Sequence, residues 1–229
     1  MIFFDVDGTL VDHKSAEREA ALAFQRDYRE VFPETPDEFV NRWQTVAEKH
    51  VRRYLARELS FQGQRRARLQ ELFSHHTALS DSKADEMFNK YLRQYEESWR
   101  LYPDVMPCLN TFSRQKLGII SNGDSKQQRQ KLETLGIAQY FSTVVVSGDI
   151  GIAKPDPLIF HAACKAAGCS PNECLFIGND LDIDAKGSIS AGLRGIWLNR
   201  DGHKQQEGIP AISSLEKLKE IIELHNHRG

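Results

Sequence analysis

Two hydrophobic patterns divide the chain. From about Lys14 to Trp99 the apolar positions recur at helical spacing. They run Ala20, Leu22, Phe24 and Tyr28; Phe39, Trp43, Val46 and Ala47; Val51, Tyr54, Leu55 and Leu59; Leu69, Leu72 and Phe73; Met87, Phe88, Tyr91, Leu92 and Tyr95. Turn-forming residues break the pattern near Pro33-Glu34-Thr35-Pro36, Gln62-Gly63 and Leu79-Ser80-Asp81, so the stretch predicts a bundle of four or more helices. From Pro103 onward short apolar runs alternate with helical segments. Strands are predicted over 117–121, 143–147, 174–178 and 195–198, and helices over 126–135, 157–167, 183–191 and 215–224. Such alternation implies a parallel sheet with helices on both faces. The opening run, 2–5, is too apolar to stand alone and joins that sheet. The expected fold is therefore α/β, a doubly wound parallel sheet with a helical block inserted after its first strand. The domain boundaries fall at 1–13 with 101–229 for the sheet and 14–100 for the helices. The tail 225–229 is expected to fray.

Composition narrows the class. The 229 residues are 40% hydrophobic and 27% charged, as in a soluble globular protein, with a net charge of −2. That balance argues against a nucleic-acid polymer as partner, which calls for a basic footprint, but leaves room for a small anion in a locally positive pocket. No apolar run is long enough for a membrane span, and Asp5 follows only four residues, so neither a membrane anchor nor a signal peptide is expected. Cys108, Cys164, Cys169 and Cys174 form no Cys-x-x-Cys pair, and no histidine spacing completes a zinc site. They read as buried, reduced thiols of a cytoplasmic protein.

The strongest chemical signal lies where the first strand ends. Ile2-Phe3-Phe4 runs into Asp5-Val6-Asp7-Gly8-Thr9, which sets two carboxylates at the carboxyl edge of a sheet, where open α/β folds bind ligands. Adjacent carboxylates repel unless a cation lies between them. Mg²⁺, with its preference for hard oxygen ligands and phosphate oxygens, suits that role.

Asp5-Val6-Asp7-Gly8-Thr9-Leu10 resembles the first motif of the haloacid dehalogenase superfamily, and three further segments match in the same order. Ile119-Ile120-Ser121-Asn122-Gly123 resembles the second, Lys154-Pro155-Asp156-Pro157 the third, and Phe176-Ile177-Gly178-Asn179-Asp180 through Asp184 the fourth. The resemblance implies a Rossmann-type core with the helical block as a mobile cap over the active site. It also implies Asp5 as nucleophile forming an aspartyl-phosphate, and Asp7 as general acid and base. Asp5, through its carboxylate, and Asp7, through its backbone carbonyl, would ligate Mg²⁺. Ser121, with the N–H groups of Asn122 and Gly123, would cradle phosphoryl oxygens, and Lys154 would neutralise them.

The fourth segment departs from the family's usual Gly-Asp. Either Asn179 replaces the direct metal ligand or Asp180 serves with a loop one residue different; the first keeps Gly178 and the apolar run in register. Asp184 takes the place of the second acid, and Asp182 is expected to face solvent. Superfamily members that cleave carbon–halogen or carbon–phosphorus bonds lack an acid two residues after the nucleophile, so Asp7 favours phosphate esters. The resulting expectation is Mg²⁺-dependent hydrolysis of a small phosphorylated metabolite (a sugar phosphate, phosphoglycolate or a nucleoside monophosphate) by a monomer or weak homodimer. A phosphomutase, or a non-catalytic phosphate-binding protein, would keep the same core. Arg52, Arg53, Arg57, Arg65, Arg66 and Arg68 form a basic stretch in the helical block, read as a solvated face. Trp43 and Trp99 read as core of that block.

Overall fold

The computed structural model describes residues 1–226. It divides into two compact units, one made of residues 1–12 with those from 100 onward, the other of 13–99. The boundaries set from sequence lie one residue later at each crossing.

The first unit is a six-stranded parallel sheet in the order β3-β2-β1-β4-β5-β6. Its strands are β1 (Ile2–Phe4), β2 (Leu117–Ser121), β3 (Phe141–Val146), β4 (Leu175–Gly178), β5 (Arg194–Leu198) and β6 (Ala211–Ile212). In β1 successive side chains enter opposite cores. Phe4 packs with Ile119 and Ile177 on one face, and Phe3 with Ile120, Phe160 and Phe176 on the other. Burial on both faces explains why these strands read as unbroken apolar runs.

The helices of this unit are α5 (Val105–Thr111), α6 (Ser125–Thr134), α7 (Ser147–Ile150), α8 (Pro157–Ala167), α9 (Gly187–Ser190) and α10 (Leu218–Asn226), numbered after the four of the other unit. Capping fixes their starts. Asp124 accepts from the Gln127 N–H, and Asp156 precedes Pro157 and accepts from the Leu158 N–H. Three predicted elements differ. Ser147 opens α7 instead of closing a strand. Segment 183–191 is not one regular helix: a π-helical turn, Leu181–Lys186, leads into α9. The last helix starts as a 3₁₀ turn at Leu215–Lys217, and α10 runs through residue 226, so 225 and 226 are helical; 227–229 lie outside the described residues. The short α5 and β6 carry too few residues to show a period and were not predicted.

The second unit is the expected bundle: α1 (His13–Asp27), α2 (Pro36–Leu55), α3 (Phe61–Phe73) and α4 (Asp81–Glu97). Thr35 and Glu38 form a capping box before α2, and Ser80 caps α4. Gly63 marks no break: Ser60 caps α3 through the Gly63 N–H, so the interruption lies before residue 61. Phe24, Trp43 and Tyr91 centre an aromatic core, with Trp43 and Tyr91 ring centroids 4.4 Å apart; Trp99 is buried too. The arginine stretch is largely absorbed within the unit. Arg66 forks onto Asp85 at 2.6 and 2.8 Å, Arg53 pairs with Glu58, Arg52 with Glu48, and Arg65 lies over the Phe61 ring. Among the described residues no helix is long and apolar enough to cross a membrane.

Candidate active site

The strand order reverses at β1, and open α/β sheets form their ligand crevice at the carboxyl edge of such a point. Asp5 follows β1, Ser121 ends β2, and Asn179 follows β4. At this edge the Lys154 Nζ bridges two carboxylates, donating to Asp5 Oδ1 at 2.7 Å and to Asp184 Oδ1 at 2.7 Å. All three residues are buried. Gly178 makes the approach possible, since a Cβ there would lie 2.3 Å from the Asp184 carboxylate. The other Asp184 oxygen accepts from the Asp180 N–H at 3.0 Å.

Two buried carboxylates share one ammonium, so the cluster carries excess negative charge. Burial above all, with Asp184 and Asp7 adding and Lys154 opposing, pushes the Asp5 carboxyl up to about 7. Burial works against the Lys154 ammonium, but Asp184 and Asp5 outweigh it and hold its pKa above the ordinary lysine value. A further cation would relieve this imbalance.

The turn after Asp5 brings a second oxygen group to the same place. Gly8 adopts φ +84° and donates its N–H to the Val11 carbonyl. A Cβ on Gly8 would meet the Asn179 amide at 2.6 Å, so only glycine permits this contact. Thr9 Oγ1 lies 3.3 Å from Asp5 Oδ2 and 3.2 Å from Asn179 Oδ1, its single proton serving one at a time. The Asp180 carboxylate is occupied differently: its Oδ1 accepts from the Asp182 and Ile183 N–H groups, capping the π-helical turn. Of the two alternatives for the fourth segment, the geometry therefore sets the Asn179 amide beside Asp5 and gives Asp180 a capping role. Asp182 is exposed and pairs with Lys186.

The Asp7 carboxylate has partners of its own on α6. Lys131 donates to its Oδ1 at 2.5 Å and Gln128 to its Oδ2 at 2.7 Å, both from α6, where they lie three apart on one face. Neither stood out in the sequence; their one signal is that spacing behind the second motif. Ser121 is buried and its Oγ donates to the Asn122 carbonyl. The Asn122 side chain clamps the Lys154 backbone, donating to its carbonyl at 3.0 Å and accepting from its N–H at 2.8 Å. The Gly123 N–H donates to Ser147 Oγ at 2.8 Å, so this donor, expected to face phosphoryl oxygens, is engaged within the protein.

A second network missed from sequence pins the turn. Arg200 donates to both oxygens of buried Asp104, at 2.8 and 2.9 Å, and to the Thr9 carbonyl at 2.8 Å. Ser214 Oγ and the Leu215 N–H complete the Asp104 shell. Burial opposes the charge on Asp104, but Arg200 and these donors hold its pKa below the usual carboxylate range.

The chain has relatives among known proteins. The profile of the haloacid dehalogenase-like hydrolases matches residues 1–192, and the chain belongs to that family. The rat N-acylneuraminate-9-phosphatase is 27% identical over 221 residues, 93% of this chain and 86% of that protein. The Escherichia coli pyrimidine 5'-nucleotidase YjjG is 37% identical over 129 residues, 54% of this chain and 57% of that one. Among solved structures, the Bacillus subtilis HAD-hydrolase YfnB bound to magnesium aligns with a TM-score of 0.80 and 27% identity, over 96% of this chain and 97% of that one.

Proposed function

We propose that the protein is a Mg²⁺-dependent phosphatase that hydrolyses a small phosphate monoester through an aspartyl-phosphate on Asp5. The observation that carries this reading is the division of labour between two aspartates two residues apart. Asp5 is buried against Lys154, while Asp7 is held separately by Lys131 and Gln128. That difference supports Asp5 as the nucleophile and Asp7 as the proton carrier.

In this reading an Asp5 oxygen attacks phosphorus and the bond from phosphorus to the ester oxygen breaks. Asp7 gives its proton to that leaving oxygen. It then takes a proton from the water that attacks the aspartyl-phosphate, which releases phosphate and restores Asp5. Lys154 balances charge on the phosphoryl oxygens, and the Ser121 hydroxyl with the Asn122 N–H orients them. The Asp5 carboxylate, the Asp7 carbonyl, the Asn179 amide oxygen and the Asp184 carboxylate would hold Mg²⁺. An all-oxygen set beside excess negative charge suits a hard cation. When bound, Mg²⁺ supplies positive charge against the phosphoryl oxygens.

In the same reading, selection of the substrate falls to the helical unit 13–99. Relatives named for acylneuraminate 9-phosphate and pyrimidine nucleotides support a phosphorylated metabolite, with sugar phosphates and nucleoside monophosphates first among those to try. The test is phosphate release from a panel of phosphomonoesters with Mg²⁺. Turnover of one compound class, abolished by Asp5→Asn and by a chelator, supports the reading. A folded, Mg²⁺-saturated protein that releases no phosphate from any of them overturns it.

A further inference from the structure

Three thiols meet at the other end of β4. Cys174 directly precedes the strand, Cys164 lies in the last turn of α8, and Cys169 follows the left-handed turn at Gly168 that ends that helix. Sequence spacing showed no motif, yet the fold brings all three Sγ atoms within 4.8 Å of one another. Cys169 Sγ and Cys174 Sγ are 2.9 Å apart, and Cys164 Sγ and Cys174 Sγ 3.6 Å, with all of them free thiols. Cys164 and Cys174 are buried in the core that holds Phe160 and Phe176, while Cys169 is half-buried and gives access.

We propose that Cys164, Cys169 and Cys174 form a three-thiolate site for a thiophilic metal cation. Thiols that merely fill a core need not touch, whereas these converge from a helix end, a turn and a strand start. Metal–sulfur bonds of about 2.3 Å hold ligating sulfurs roughly 4 Å apart, so the trio closes on an ion once the tightest pair opens by about 1 Å. Among the described residues no His, Asp or Glu joins the cluster. Three sulfurs without a fourth side chain favour Cu(I) over Zn²⁺, whose structural sites take four ligands, and Cd²⁺ serves as a thiophilic probe of the same sulfurs. On binding, three S–H bonds give up their protons, three metal–sulfur bonds form, and nothing is oxidised or reduced.

The site sits at the amino end of β4, about 13 Å of strand from Gly178. Its occupancy is therefore independent of the carboxylate cluster and of the phosphatase reading. The test titrates reduced protein with Cd²⁺ under argon, in excess Mg²⁺, following the ultraviolet thiolate-to-metal charge-transfer band. Saturation at one Cd²⁺ per chain is expected, with the band retained in Cys108→Ser and lost in Cys169→Ser. Cys169 is the ligand to change first because its partial exposure spares the core; circular dichroism confirms that the variant folds. A band that survives Cys169→Ser overturns the site. So does reduced, folded protein that takes up no Cd²⁺ and in air forms a Cys169–Cys174 cross-link, which would make the pair a redox element instead.

Discussion

Asp7 and Asn179 are the residues at which the proposed chemistry departs furthest from a generic carboxylate cluster. If Asp7 carries the proton both ways, Asp7→Asn slows aspartyl-phosphate hydrolysis more than its formation from an aryl phosphate, whose leaving group needs no proton. The expected outcome is a burst of about one nitrophenolate per chain, followed by turnover about 10²–10⁴ times slower than wild type, read by stopped-flow absorbance. A uniform loss without a burst would place Asp7 elsewhere in the mechanism. Asn179 offers the cation an amide where a carboxylate would add charge. Asn179→Asp should lower the Mg²⁺ concentration for half-maximal activity, and an unchanged Mg²⁺ titration would count against the amide as a ligand. Both positions drew attention in the sequence because each lies in the short polar segment that follows an apolar run. Lys131 and Gln128 did not, because their partner Asp7 is 124 and 121 residues away and no local pattern announces so distant a contact. Between Asn179 and Asp180 the register of Gly178 with the apolar run favoured Asn179, and Gly8 packing on its amide and the capping by Asp180 support the same reading.

At the scale of elements, the helical periodicity located all four helices of the inserted unit, and the misplaced break at Gly63 shows its limit. A glycine within a first turn looks like a breaker until the cap at Ser60 is seen. Polar contacts between those helices were beyond the pattern, and one of them sets a pH response. His50 of α2 is buried, with Nε2 2.8 Å from Glu71 Oε2 of α3 and Nδ1 3.4 Å from Arg53 Nη1. Donation from Nε2 and acceptance at Nδ1 fit the neutral ring, and protonating Nδ1 would set it against the arginine. Burial first, opposed by Glu71, holds the His50 pKa below its ordinary 6.5. The unfolded chain therefore takes up this proton before the folded one, and stability falls as pH drops below about 6.5 until the lower folded value is reached. The slope from this group is at most about 1.4 kcal/mol per pH unit. Glu71, held low by Lys49 and His50, begins to contribute only in more acid solution, and with the same sign. Denaturant melts at pH 7 and about pH 5.5 should show weakened protection of α2 and α3. His50→Gln keeps a donor and an acceptor, so it should flatten that difference.

For the whole molecule, the sheet unit and the helical unit each bury apolar residues of their own, so the stability of each can be followed separately. The sheet unit is drawn from both sides of the insertion, so its chain segments must be pinned across long sequence gaps. Arg200 does this by joining Asp104, 96 residues away, to the Thr9 carbonyl, 191 residues away, while stacking over Tyr102. Removing the guanidinium leaves Asp104 buried with only Ser214 and the Leu215 N–H. Breaking a buried pair in this way costs about 3–5 kcal/mol. Arg200→Met should therefore weaken hydrogen-exchange protection in β1, β4 and β5 while leaving α2 and α4 close to wild type. Adding Asp104→Asn should return part of the loss, since the stranded charge is then gone. Equal loss of protection in both units would mean that they unfold as one cooperative body. Unequal loss would mean that the inserted helices can open or change without dissolving the sheet that carries Asp5. Such independence would fit the substrate-selecting role proposed for the helical unit.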